Sequence, residues 1–280
     1  MIQVSAAEVQ KLRKMTGAGM MDCKKALEEA NGDYEKAVEI IRKKGQLVAA
    51  KRADRTATEG VVLAGTTADS KFGALVCLSS ETDFVAKNEE FIATVRSILD
   101  VAVKNKPASL EALHALPLGP ITVGEKVMEK VAVIGEKIEL TVYEKIEAEK
   151  VIAYIHPGNK LATLVGFNKA GLDDQIYKDV AMQVAAMAPI AVDKSDVAPE
   201  KLAKEREIAV EQTNLDKKNE GKPANIIEKI AEGKLEKYLK ENTLMNQEFI
   251  KDGKLNVAQY LQSKDKDLKV TGFRRFTLVQ

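Results

Sequence analysis

The chain has 280 residues, 45% hydrophobic and 30% charged, enough for two or three small domains with packed cores. Forty-three basic against 42 acidic side chains leave the net charge near zero, which argues against nonspecific nucleic-acid or membrane-surface binding as the main role, since both draw on a basic excess. No apolar run approaches the roughly 20 residues of a membrane helix, and Met1-Ile2-Gln3-Val4-Ser5 has no basic segment leading into an apolar one, so a soluble intracellular protein is expected.

The first fifty residues read as a compact helical unit. Ser5 and Glu8 form a capping box with Val4 and Val9 as its hydrophobic staple, which predicts a helix from Ala6. That helix should end before Thr16-Gly17-Ala18-Gly19. A second, about Met21 to Ala30, stops at Asn31-Gly32, residues that tolerate a left-handed cap. Asp33 caps a third helix whose apolar face is Tyr34, Ala37, Val38 and Ile41 and whose end is placed at Gly45. Three helices this short bury little area alone, so the unit should dock on something. Ala49 to Glu59, charged and rich in small residues, reads as a linker. Cys23 and Cys77 fall inside helical and strand patterns and are expected to be reduced core residues.

An internal repeat follows. Residues 60 to 79 and 149 to 168 align without a gap, with Val62-Leu63-Ala64 opposite Val151-Ile152-Ala153. Both copies read as a hairpin followed by a helix, the helical stripe Phe91, Val95, Leu99 and Ala102 matching Ile176, Val180, Val184 and Met187. The strands are offset by 89 residues and the helices by 85, so copy one has four extra residues at its strand-to-helix turn, within Ser80-Glu81-Thr82-Asp83-Phe84-Val85-Ala86-Lys87-Asn88. A core duplication has no packing reason to lengthen only one corner. Between the copies, Lys104 to Gly124 is a proline-containing loop with one short helix capped by Ser109. A helix from Glu125 to Ile134 follows, then a half-buried strand through Ile138, Leu140 and Val142. Beyond copy two, Pro199 to Asn219 and Ala224 to Lys240 predict an antiparallel helical hairpin joined by Gly221-Lys222-Pro223. A last strand, Val270 to Val279, closes the chain.

Leu12 to Leu27, reading Leu-Arg-Lys-Met-Thr-Gly-Ala-Gly-Met-Met-Asp-Cys-Lys-Lys-Ala-Leu, and Thr82-Asp83-Phe84-Val85-Ala86-Lys87 closely resemble the two signature segments of the elongation factor Ts family. Gly221 to Ile230 and Val270-Thr271-Gly272-Phe273 resemble further family segments, so the likeness spans nearly the whole chain. It implies an α+β protein that acts as a guanine-nucleotide exchange factor for elongation factor Tu, in the cytoplasm and without a cofactor. The implied domains are a ubiquitin-associated-like three-helix unit (residues 1–52) and two related core subdomains (53–147 and 148–280). A helical hairpin inserted at about 197–240 serves in that family as the dimerisation module. By the same resemblance, Asp83 and Phe84 match a wedge that enters the partner's GTPase domain near its magnesium site, with Thr82 and Val85 flanking it in the same contact. His156 matches a histidine that presses on the partner toward its phosphate-binding loop. Met20 and Met21 match N-terminal contacts, and Ile134 an apolar contact. Val76-Cys77-Leu78-Ser79-Ser80 departs from the usual residues before the wedge, and the chain ends at Gln280 without the extra C-terminal helix of some members.

Each of these residues also has a structural reading. Asp83 is the type of residue that caps a turn, Phe84 one that fills a core, and Met20-Met21 a pair that packs a small helical unit. His156 precedes the turn signal Pro157-Gly158-Asn159, where copy one has Thr67, and loop histidines are commonly just solvated. Enzymatic readings fare worse. Gly17-Ala18-Gly19 lacks the Gly-Lys-Ser/Thr that cradles phosphates, and two histidines, His114 and His156, are too few for a typical zinc or Cys-His site. A non-catalytic adaptor working through the three-helix unit and the hairpin is the alternative from another functional class.

Overall fold

The computed structural model of the chain describes residues 4–279; Met1–Gln3 and Gln280, on which the expectations about a leader and a C-terminal extension bear, lie outside them. Helices α1 (Ala6–Thr16), α2 (Met20–Glu29) and α3 (Tyr34–Lys51) form the N-terminal unit. The Ser5–Glu8 capping box starts α1, Val4 packs on the unit's core, and Asn31 and Gly32, both at positive φ, turn α2 toward α3. Gly45, however, does not end α3. A Cβ added there would lie 2.9 Å from Ala132 Cβ and 3.0 Å from the Met128 carbonyl oxygen, so this glycine lets a second helix approach closely, and α3 runs on to Lys51. The linker shrinks to the residues after Arg52.

The first core copy runs β1 (Glu59–Thr66), β2 (Phe72–Ser80), α4 (Asp83–Ala86), α5 (Glu89–Asn105), α6 (Leu110–Ala115), the two-residue strands β3 (Pro117–Leu118) and β4 (Ile121–Thr122), α7 (Val123–Ile134) and β5 (Glu139–Glu147). The second runs β6 (Lys150–Ile155), β7 (Leu161–Phe167), α8 (Asp174–Met187), α9 (Pro199–Leu215), α10 (Ala224–Asn242), β8 (Glu248–Phe249), β9 (Asp252–Asn256), α11 (Val257–Lys264) and β10 (Val270–Thr277). Two antiparallel sheets result, ordered β1-β2-β5 and β6-β7-β10. They pack face to face, with α5 behind one and α8 behind the other.

Strand alternation explains why β1 and β2 are apolar on both faces. Val61, Leu63, Phe72, Ala74, Val76 and Leu78 pack toward α5, while Val62, Ala64, Leu75 and Cys77 meet Val151, Ala162 and Leu164 of the other sheet. The hairpins also exchange hydrogen bonds. The Val62 N–H donates to the Asn159 carbonyl at 2.7 Å, and the equivalent Val151 N–H to the Ser70 carbonyl at 2.6 Å; Asn159 and Ser70 are both at φ 56°. Each copy's turn is thereby tied to the first strand of the other.

The duplication reaches further than the hairpins. β4 leads into α7 through a capping box of Thr122 and Glu125, and β9 into α11 through one of Asn256 and Gln259. The helical hairpin α9–α10 is inserted before β8. Ala191, Val197, Leu235 and Leu239 form the apolar cluster at its base. Nearby, buried Asp179 of α8 accepts hydrogen bonds from Gln175 Nε2 (2.6 Å), Lys251 Nζ (2.6 Å) and Tyr260 Oη (2.9 Å), binding α8 to α11 and to the β8–β9 hairpin. One expected match fails: Met187, the counterpart of buried Ala102, is exposed. Among the described residues no helix is long and apolar enough to cross a membrane.

Candidate functional site

The four-residue excess is visible in the helix caps. Asn88 caps α5 and Asp173 caps α8, 85 positions apart, although the preceding strands keep the 89-residue offset. The extra chain in copy one is coiled into the single turn α4, and neighbours fasten it on both sides. Both carboxylate oxygens of Glu81 accept from Arg52 Nη1, at 2.8 and 2.9 Å, and Oε1 also accepts from the Lys137 backbone N–H at 2.6 Å. These donors, the Lys137 amide first, hold the Glu81 carboxyl below the usual carboxylate range. Glu136 accepts from the Thr82 N–H (3.1 Å) and hydroxyl (2.8 Å). Val85 and Ala86 pack into the core of the first copy.

What this rigid turn presents to solvent is Phe84, 83% exposed. An aromatic ring left in water on an immobilised backbone forgoes burial worth about 2 kcal/mol, so its reading as a core filler does not hold. Beside it, Asp83 accepts from Lys87 Nζ at 2.6 Å, which lowers the acid's pKa and raises that of the lysine. Phe84 shares a surface groove with Thr82, Val85, Lys130 and Ile134. On the opposite side, Asp83 and Lys87 line a cavity of about 550 Å³ together with His156, Lys160 and Arg275. His156 Nδ1 lies 3.0 Å from the Tyr154 hydroxyl, and its turn is fixed by the Val62–Asn159 hydrogen bond. The two expected elements, corner and second hairpin tip, therefore meet at one surface.

Met20 and Met21 stand apart from both hollows. They begin α2 as exposed side chains, 58% and 63% accessible, so they do not pack the helical unit. That unit docks on α7 through α3, and Arg52, the residue that caps α3, is also the clamp on Glu81. Sequence reading missed Arg52, Glu136 and Lys137 as supports of the corner, and Lys160 and Arg275 as neighbours of His156. Their separations along the chain follow no local pattern, and only the tertiary fold joins them. Among the described residues no group of three His, Cys, Asp or Glu side chains is arranged to hold a metal.

Comparison with known proteins gives one consistent result. The family model described as "Elongation factor TS" matches residues 81–280. A protein of Porphyromonas gingivalis named elongation factor Ts is 53% identical over 277 residues, 98% of each chain. Its namesake in Azobacteroides pseudotrichonymphae is 47% identical over 275 residues, again 98% of each. That of Flavobacterium psychrophilum is 47% identical over 281 aligned positions, covering 99% of this chain and 100% of the relative.

Proposed function

The chain belongs to the elongation factor Ts family, and from that premise we propose that it is a guanine-nucleotide exchange factor for elongation factor Tu, promoting GDP release by pushing a rigid wedge against the GTPase's nucleotide site. In this reading it serves translation elongation in the cytoplasm, binds no nucleotide itself and performs no covalent chemistry. Residues 1–52, 53–147 and 148–280 act as the three domains, with the hairpin available for self-association.

The observation that carries the reading is Phe84, a solvent-exposed aromatic on a turn held through the Glu81 carboxylate by Arg52 and Lys137 and through the Thr82 N–H by Glu136. An exchange factor must bind the nucleotide-free partner more tightly than the loaded one, and linkage then makes it weaken nucleotide binding by the same ratio. Force against a partner needs a stiff support. Phe84 with Ile134 offers an apolar face for holding helices apart, while the Asp83 carboxylate stands where it competes for donors around the magnesium site. His156 reaches the partner from the other core copy, toward the phosphate loop; Met20 and Met21 add affinity from α2.

The test is GDP release from elongation factor Tu, followed by stopped flow with and without a magnesium chelator. Phe84→Ala and His156→Ala should each slow release in part. In chelator the wedge has less to disrupt, so the Phe84→Ala defect should shrink while the His156→Ala defect persists. Equal loss of both defects would refute the two-site mechanism, and a release rate unchanged by the wild-type protein would leave the adaptor reading standing instead.

A further inference from the structure

The cavity between the corner and the His156 turn contains an unbalanced charge. Lys87 is matched by Asp83 at 2.6 Å and Lys160 by Glu59 at 2.7 Å. Arg275, on β10, has no carboxylate within reach among the described residues; its Nε donates to the Ala185 carbonyl at 3.2 Å in the last turn of α8. It is half-buried beside apolar Ala186, Leu161 and Val279, and burial alone depresses its pKa. The bland account is a cation capping a helix C-terminus. Copy one shows what that role needs: at the equivalent register position Lys145 donates to the Pro107 carbonyl, just beyond α5, at 3.1 Å. A lysine suffices there. The arginine in copy two adds a planar pair of terminal nitrogens suited to two parallel hydrogen bonds with one carboxylate.

Building on the proposed exchange function, we propose that Arg275 is a further partner-binding residue, which receives an acidic side chain of the GTPase in the cavity shared by Asp83 and His156. The charge count favours a carboxylate over a phosphate. With both lysines paired, one positive charge remains, which a single carboxylate neutralises and a dianionic phosphate would overshoot. The apolar surroundings strengthen such a pair by excluding water.

The experiment measures association of the full-length protein with nucleotide-free elongation factor Tu at low and high ionic strength for wild type, Arg275→Lys and Arg275→Gln. Arg275→Lys keeps the helix-capping donor and the charge but not the paired terminal nitrogens, so it should melt like wild type and keep its salt dependence, yet bind about tenfold more weakly. Arg275→Gln removes the charge as well and should bind more weakly still, with a flatter salt dependence, as expected when one close charge pair is lost. If Arg275→Lys and Arg275→Gln both bind as wild type does, the residue is only a cap and the proposal fails while the exchange function stands; if Arg275→Lys alone does, the two parallel hydrogen bonds are refuted. If wild type itself neither binds nor accelerates GDP release, both fail. Inorganic phosphate serves as the competing probe: if it raises the melting temperature of wild type but not of Arg275→Gln, the cavity is a phosphate site and the carboxylate assignment is overturned.

Discussion

At the scale of single residues, the site is defined by what is left in water and what holds it there. Phe84 makes few contacts within its own chain, so Phe84→Ala should leave the melting temperature within about 1 °C of wild type while costing about 2 kcal/mol in binding to elongation factor Tu, as aromatic anchors in interface pockets do. Calorimetric titration and a thermal melt on the same sample decide it; a large drop in melting temperature with full binding would make Phe84 structural. The contrast is Asp179, buried where Phe84 is exposed. Desolvation raises its pKa, but hydrogen bonds from Lys251, Gln175 and Tyr260 outweigh that and leave it below the ordinary value. A carboxyl whose folded pKa is depressed stabilises fully above its unfolded value near 4 and ceases to do so as pH falls through the lower folded value. Asp179→Asn should therefore cost about 2 kcal/mol at neutral pH and show a smaller further loss than wild type between about pH 5 and 3. Melting curves across that range would show it, and parallel curves for the two proteins would exclude the charge as the source.

Among elements, those with local punctuation were legible in the sequence. Ser5 with Glu8, Asp33 and Ser109 cap helices in the structure as residue type and spacing suggest. The helical hairpin and the last strand also fall near their expected bounds. Gly45 misled because a glycine late in a helical pattern looks the same whether it ends the helix or admits a neighbour, and only Ala132 opposite it settles which. Replacing it exposes the difference. In an exposed helix Gly→Ala would stabilise by about 1 kcal/mol, whereas Gly45→Leu should prise α3 from α7 and speed proteolysis between residues 52 and 58; unchanged digestion would mean that the contact tolerates the added bulk. The reach of the duplication was also present in the sequence, in Ile121-Thr122-Val123-Gly124-Glu125 against Leu255-Asn256-Val257-Ala258-Gln259. The inserted helical hairpin breaks the constant offset and hides it. Of the site, the corner was legible because it interrupts a repeat, while its clamps at positions 52 and 136 were not, because nothing in a linear pattern ties them to Thr82 or Glu81.

For the whole molecule, the N-terminal unit and the core are coupled more tightly than a flexible linker implies. Deleting residues 1–50 uncovers Ala132 and Val133 on α7 and leaves Arg52 at a free end. The truncated chain should stay folded on its two sheets but melt several degrees lower, as expected for about 1 kcal/mol of lost packing, and retain only residual exchange activity. Circular dichroism and GDP release measure the two effects, and an insoluble product would show that the core does not stand alone. The paired sheets themselves have the grammar of a symmetric dimer. Val62 bonds to Asn159 as Val151 bonds to Ser70, and such self-complementary exchange is what two identical chains make across a two-fold axis. A gene that encoded one hairpin-and-helix module, doubled and fused, would inherit this contact ready made. Fusion would release the halves from having to be alike: one corner carries a helical turn with an exposed phenylalanine, the other is short and its neighbouring hairpin carries a histidine, so that a pseudo-symmetric pair presents two different side chains beside one another.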